Sequence, residues 1–257
     1  MIPKIIHLCW LSGDKFPASI ETCLDSWKII LPDYEIWLWD TQRFDINSTL
    51  WTRQAYEAKM YAFAADYIRL YALYNYGGIY LDSDVVVYKS FNDLLKLPYF
   101  LGEDITHCFE AAVIGAEPHQ KWIKDIMDRY NGLSFIDSDG NYNTRTLPVV
   151  FRDQLTPKYQ FKKVATPISN IDYIDTVINV FPYDYFNSRD YIGVIKTSNS
   201  YCAHCYVGSW IKTEKRFTPI MKRIVPRFIL NIIYSLVISI FYKNDIRNQQ
   251  INYIHSY

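Results

Sequence analysis

The chain carries no net charge. Its 27 Lys and Arg balance 27 Asp and Glu, and the sequence pI is near 6.9. Nothing global therefore draws it to a polyanion, no nucleic-acid partner is expected, and any charge-driven binding must be local. Residues 1–10 lack a charged stretch followed by a long apolar one, so no secretory leader is read there and the expected location is the cytoplasm. The five cysteines (Cys9, Cys23, Cys108, Cys202, Cys205) form no even, regularly spaced framework, which fits a reducing compartment. Cys202 and Cys205 make one CxxC with no second pair and no βαβ context, so a structural role is expected rather than zinc or redox chemistry. There is no internal repeat and no low-complexity tract. The most apolar stretch, residues 228–242, is 15 residues long, short of the roughly 20 that span a bilayer as a helix.

What is present is a chain of 257 residues, half of them hydrophobic, enough for one large domain with a sizeable core. Its 23 Tyr and 7 Trp offer core volume and also flat faces for bases and sugars. Residues 4–10 are a short apolar run ending near Ser12-Gly13-Asp14, a buried first strand entering a loop. Residues 17–30 place Ile20, Cys23, Leu24 and Trp27 at helical spacing before Pro32-Asp33 stops them. Residues 34–39 alternate as a second strand. That β-α-β opening predicts a parallel sheet with helices packed on it, an α/β protein.

A helix is expected from about Tyr56 to Tyr74, stopped by Gly77-Gly78. Ile79-Tyr80-Leu81 then runs into Asp82-Ser83-Asp84 and Val85-Val86-Val87. Two carboxylates at the end of, or at a break in, a hydrophobic strand are costly unless something cationic meets them. Residues 136–145 read as a loop, and Pro148, Pro157 and Pro167 punctuate the region C-terminal to it.

Asp82-Ser83-Asp84 is the sharpest chemical signal. Alternate strand residues point oppositely, but a turn after the strand can bring both carboxylates toward one ion. Mg²⁺ or Mn²⁺ wants such oxygen ligands and commonly shares its shell with nucleotide phosphates. Solvated turn carboxylates are the alternative. Asp66 and Arg69, three apart on one face of the preceding helix, would converge with the two carboxylates on one site, or would form only a surface ion pair of little energetic weight. His7, in a buried strand, is expected to be a hydrogen-bonded core residue.

Several motifs agree in order: Ile6-His7-x-x-Trp10, Ala65-Asp66-x-x-Arg69, Gly77-Gly78-Ile79-Tyr80-Leu81-Asp82-x-Asp84, and His204-x-x-x-Gly208-Ser209-Trp210. In this the chain resembles the bacterial glycosyltransferases of family 32, which are related to the catalytic domains of large clostridial glucosylating toxins. The resemblance covers residues 1 to about 212. It implies a GT-A (Rossmann-like, nucleotide-sugar-binding) single domain and a retaining, metal-dependent hexosyltransferase acting on a UDP-sugar in surface or capsular polysaccharide assembly.

Carried over by position, the resemblance implies that Trp10 stacks on uracil and that backbone near Leu8 holds the base edge. Asp66 and Arg69 would grip sugar hydroxyls and phosphate, Tyr80 would flank the donor, and Asp82 would touch ribose or sugar beside Ser83. Asp84 and His204 would hold the metal, Mn²⁺ or Mg²⁺, while Ser209 and Trp210 close over the diphosphate. Where many relatives carry Asn-Ala before a Pro-His, this chain has Glu110-Ala111 and then Pro118-His119. Glu103, Asp104 and Glu110 are candidate sugar contacts.

Two rival readings remain open here. Leu81-Asp82-Ser83-Asp84-Val85-Val86 also matches the nucleophile motif of haloacid-dehalogenase-like phosphatases, with Asp82 attacking and Asp84 as acid/base, although no later acidic pair completes a magnesium site. A non-catalytic nucleotide-sugar-binding module is the other.

Residues 213–257 form a basic and apolar extension. Lys212, Lys215, Arg216, Lys222, Arg223 and Arg227 face only Glu214 before the apolar stretch begins. A basic collar on an apolar segment too short to span is what an interfacial anchor requires, so a helical, membrane-interacting extension is expected at the inner face of the cell membrane, serving a saccharide or lipid-linked acceptor. The alternatives are a terminal helix packed on the catalytic domain or buried in a homodimer interface.

Overall fold

The computed structural model describes residues 1–164, 171–190 and 192–206, together with 226, 228–233, 236 and 251. Strand β1 (Ile5–Cys9), helix α1 (Ala18–Ile30) and strand β2 (Glu35–Trp39) form the expected β-α-β opening, with β1 and β2 parallel and in register from Ile5↔Glu35 to Cys9↔Trp39. Helix α1 buries Ile20, Cys23, Leu24 and Trp27, the four positions its spacing picks out.

Helices α2 (Leu50–Glu57) and α3 (Tyr61–Tyr76) lead to β3 (Gly78–Leu81), which pairs with the other side of β1 in parallel. The single helix expected from Tyr56 is thus two. Thr49 caps α2 by accepting the Thr52 N–H, and Lys59 takes a positive φ of 58° between the two helices. Propensity sees no break in Ala58-Lys59-Met60. The turn is set by tertiary contacts, among them the Trp51 indole N–H donated to the Phe63 carbonyl at 2.7 Å.

The expected glycine stop is present. Gly77 (φ 64°) ends α3, and at Gly78 (φ 108°) a Cβ would lie 2.6 Å from the Ile5 carbonyl oxygen, so the chain can cross β1 this closely only without a side chain. Strands β5 (Tyr99–Glu103) and β6 (Phe109–Ala116) complete a five-stranded mixed sheet ordered β2-β1-β3-β6-β5, with β6 antiparallel to both β3 and β5. The short strand β4 (Val85–Val87), which comes after β3 across the acidic turn, leaves this sheet and pairs antiparallel with β9 (Cys202–His204), while β7 (Gln160–Lys163) and β8 (Val177–Val180) form a separate parallel pair.

Alternation along the strands divides the core in two. Ile6, Leu8, Ile79 and Leu81 face α1, while Tyr80 faces the layer built by α3, α4 (Lys121–Met127) and α5 (Leu147–Leu155). Helix α1 is tied to β4 by the Trp27 indole N–H on the Val85 carbonyl (2.7 Å) and by the Ser26 hydroxyl accepting the Val87 N–H (2.9 Å). His7 is fully buried between the layers. Its Nε2 donates to the Gly77 carbonyl at 2.6 Å and its Nδ1 accepts the Trp39 indole N–H at 3.0 Å. Burial depresses its pKa to about 4, so it is the neutral core histidine expected.

Of the C-terminal extension, residues 228–233 and 236 are helical. Leu230 is buried, and Asn231 donates to Asp190 at 2.7 Å. Ile251 enters the core layer beside α3 and donates its N–H to the His107 carbonyl. The described parts of the extension therefore touch the catalytic body. Among the described residues no helix is long and apolar enough to cross a membrane. Ser209, Trp210 and the whole of the basic collar lie outside the described residues.

Candidate active site

Strand β1 sits where the sheet order reverses, with β2 on one side and β3 on the other. In open α/β sheets the crevice beyond the carboxyl ends of such strands is where ligands bind. Trp10 stands at the end of β1 and Asp82 at the end of β3. The turn Asp82-Ser83-Asp84 is closed by the Val85 N–H on the Asp82 carbonyl (3.0 Å), and the Asp82 N–H is anchored to the Ala112 carbonyl of β6 (2.9 Å). The turn bends both carboxylates out of the strand alternation.

His204 completes the group from the last strand, because β9 places it opposite Val85 and the Cys205 N–H donates to the Asp84 carbonyl. One ligand atom from each of Asp82, Asp84 and His204 lies within 4.8 Å of the others, and His204 Nε2 is 3.2 Å from Asp84 Oδ1. Adjacent ligands of an octahedral hard cation, each bonded at ~2.1 Å, stand ~3 Å apart, so the spacing and the O, O, N donor set fit a divalent ion.

Glu110, buried in β6, stands behind that histidine. Its Oε1 is 3.4 Å from His204 Nδ1, the reach of an ion pair rather than a well-formed hydrogen bond. The same carboxylate accepts from the Ala112 N–H, from Asn187 and from the Tyr206 hydroxyl, whose ring stacks on His204 at 3.9 Å. Burial alone would strip the His204 proton, but the Glu110 and Asp84 carboxylates outweigh it and hold the pKa well above the usual histidine value. A bound cation would take the place of that proton. Carboxylates behind metal-binding histidines orient the ring in this manner.

Arg69 forms the opposite wall. Its guanidinium is 3.2 Å from Asp66, 3.3 Å from Asp82 and 2.7 Å from the Ala111 carbonyl, and lies 4.5 Å over the Tyr80 ring. The Asp66–Arg69 pair is therefore a buried bridge from α3 to the acidic turn, not a solvated surface pair. Burial pushes the Asp66 carboxyl up to about 7, with Asp82 adding to the shift and Arg69 opposing it. Tyr80 is buried and donates its hydroxyl to Asp82 at 2.8 Å, so it supports that carboxylate from behind.

The remaining expected residues are spread around this centre. Leu8 is buried in β1 and faces α1. Trp10 is half-buried, rests on Phe16 at 4.9 Å and donates its indole N–H to the Asp14 carbonyl. Ser83 is half-exposed in the turn. Glu103 is fully buried in ion pairs with Lys163 and His107. Asp104 shapes its own loop by accepting from Thr106 and the Cys108 N–H, and burial lifts its pKa to about 6. Sequence reasoning did not find Asn187 and Tyr206, which share the Glu110 carboxylate, or Arg189, which donates to the Cys205 carbonyl. No spacing joins residues 110, 187 and 206. Cys202 is buried against the Phe186 carbonyl, and all five cysteines are free thiols.

The family described as the glycosyltransferase sugar-binding region containing the DXD motif matches residues 17–101. An uncharacterised glycosyltransferase of Acanthamoeba polyphaga mimivirus is 27% identical over 226 residues, 82% of this chain and 84% of that one. Inositol phosphoceramide mannosyltransferase 3 of Schizosaccharomyces pombe is 36% identical over 104 residues, 38% of this chain, and the match spans only 28% of that protein. Among solved structures, the PaToxG glycosyltransferase superposes with a TM-score of 0.46 at 19% identity, covering 61% of this chain and 68% of that chain. With the matched window holding Asp66, Arg69 and the acidic turn, the chain is a glycosyltransferase, similar over that window to the family with the DXD motif, and Asp82-Ser83-Asp84 stands where that motif lies.

Proposed function

We propose that the chain transfers a hexosyl or N-acetylhexosaminyl group from a UDP-sugar to a saccharide acceptor, with Mn²⁺ or Mg²⁺ held by Asp82, Asp84 and His204. The observation that carries this reading is the convergence of those three side chains at the carboxyl end of β3. The bound cation would offset the charge that develops on the departing diphosphate.

The protein's own groups divide the remaining work. Asp66 and Arg69 meet donor hydroxyls and phosphate, and Arg69 also keeps Asp82 from being an unpaired carboxylate. Trp10 offers its indole face to the base. Glu110 holds the His204 ring. The glycosidic bond to phosphate breaks as the bond to the acceptor oxygen forms on the same face of the sugar, and the acceptor proton passes to the departing phosphate. The anomeric configuration is then retained.

Asp82 Oδ1 is engaged by Tyr80 and lies near Arg69, which leaves it poorly placed as the free nucleophile of a phosphatase. The names of the fungal relatives favour a second donor and acceptor reading, a nucleoside-diphosphate mannose and a glycolipid. A lipid-linked acceptor is common to both settings.

A panel of nucleotide sugars, assayed for release of free nucleoside diphosphate with Mn²⁺, with Mg²⁺ and with chelator, tests the proposal. Metal-dependent release from a UDP-hexose that is absent in Asp84→Asn supports it. Release from a mannosyl donor alone would move the donor assignment, and release of inorganic phosphate from simple phosphomonoesters would overturn the transferase reading.

A further inference from the structure

The helical residues near the C-terminus leave one apolar face uncovered. Phe228, Ile229, Ile232 and Leu236 are 66%, 37%, 56% and 57% exposed. At helical spacing the four fall within ~100° of arc, while Leu230, which is buried, points roughly 150° away from the centre of that stripe. Asn231 pins the helix by its bond to Asp190, a buried carboxylate that also holds the Ile192 and Gly193 N–H groups. One face is thus docked and the opposite face is apolar and open.

Charge indicates what covers the open face. Residues 212–247 contain eight Lys and Arg against Glu214 and Asp245, a net of +6 in a chain whose total is zero, so the rest of the chain is −6. Along the sequence, positive charge therefore flanks the apolar residues on both sides. That collar lies wholly outside the described residues and enters only through its charge. A second copy seated on this face by two-fold symmetry would bring +6 against +6. An anionic lipid surface would meet both the stripe and the charge.

We propose that the face formed by Phe228, Ile229, Ile232 and Leu236 docks on an anionic phospholipid surface and seats the catalytic site there. The Asp190 loop that holds this helix continues from Asn187 and Arg189, which bond to Glu110 and to the Cys205 carbonyl beside His204. The docked helix is thereby fixed to the segment that backs the metal site, so docking sets the distance and orientation of that site above the lipid. This deepens the lipid-linked acceptor reading, but it rests on the helix and not on the choice of donor.

The test uses the full chain and vesicles of phosphatidylcholine with and without phosphatidylserine, read by sedimentation, with donor hydrolysis in solution measured on the same samples. The wild type sediments with phosphatidylserine vesicles and is released by salt. Phe228→Glu combined with Ile232→Glu and Leu236→Glu lowers partitioning by at least ~100-fold while hydrolysis in solution is unchanged. If the triple variant does not fold, Ile232→Glu alone should lower partitioning by ~10-fold.

Failure of the wild type to sediment with anionic vesicles overturns the proposal, as does a folded face variant that sediments like the wild type. A dimer in solution that the face variant abolishes, with no vesicle binding, assigns the face to a second copy instead. Vesicle binding without any donor hydrolysis would sink the donor reading and leave the docking surface standing.

Discussion

Replacing Arg69 by Met removes the cation that holds α3 to the acidic turn while keeping a long side chain in the space. Three bonds are lost together: to Asp66 at 3.2 Å, to Asp82 at 3.3 Å and to the Ala111 carbonyl at 2.7 Å, along with the stacking over Tyr80. Breaking a buried ion pair by removing one partner costs about 3–5 kcal/mol, and an orphaned carbonyl adds about 1–3 kcal/mol when burial is complete. These do not sum, because Asp66 has an escape. Its pKa is already pushed up to about 7 by burial, and without the opposing pull of Arg69 it rises further, so the carboxyl becomes neutral near pH 7. The expected loss is therefore at the lower end, about 3 kcal/mol in metal-free protein.

Arg69→Lys keeps the charge but offers a compact ammonium that cannot serve two carboxylates and a carbonyl from one planar fork, and about half the loss is expected. Urea unfolding followed by tryptophan fluorescence at pH 7.5 reads both variants. If Arg69→Met lies within about 0.5 kcal/mol of wild type, or if Arg69→Lys is as damaging as Arg69→Met, the bridge does not work as described.

Asp84→Asn removes a charged ligand from the cluster, and calorimetric affinity for Mn²⁺ should fall by more than the ~10–100-fold typical of groups behind the ligands. Near-normal binding by the folded variant would remove Asp84 from the site. The raised pKa of Asp66 carries a pH signature: the unfolded chain gives up this proton near its ordinary value of 3.8 and the folded one near about 7. The Asp66 contribution is thus present below about pH 4 and is lost as pH rises toward about 7, with a slope of at most ~1.4 kcal/mol per pH unit, then flat. Asp66→Asn should abolish that part of the slope in urea midpoints measured across the range. Trp10→Ala should raise donor KM more than it lowers kcat, since base stacking is felt alike in ground and transition states, and because the ring is half-exposed its loss should cost only about 2 kcal/mol of stability. A fall in kcat at unchanged KM would place Trp10 elsewhere in the mechanism.

Much of the fold is legible in the order and spacing of residues. The 3.6-residue spacing of Ile20, Cys23, Leu24 and Trp27 reflects periodic burial of one helix face, and the apolar run of β1 reflects burial on both faces of the sheet. The break at Lys59 is not legible, because a positive φ at a lysine is imposed by packing around Trp51 and Phe63, not by local preference. The N-cap Thr49 is a signal for α2 that a helix begun at Tyr56 passes over. At the site, Asp66 with Arg69 and Asp82 with Asp84 can be found because each pair is local in sequence, while the role of Glu110 cannot. A carboxylate on a strand looks the same whether it meets a sugar or the back of a histidine.

Short windows of the chain and its composition are enough to set the α/β order, the acidic turn at a strand end, the glycine stop after α3, and the segregation of +6 charge into residues 212–247. In each of these, neighbours along the chain carry the information. Packing in three dimensions sends β4 away from the main sheet to β9, and with that pairing His204 comes opposite the turn 120 residues upstream of it. The same packing puts Glu110 behind His204, buries Arg69 between two carboxylates, and turns the apolar stripe outward through Leu230 and Asn231. Each of these is a contact between residues far apart in the chain, and its energy comes from burial and charge pairing that exist only once the sheet has brought the partners together.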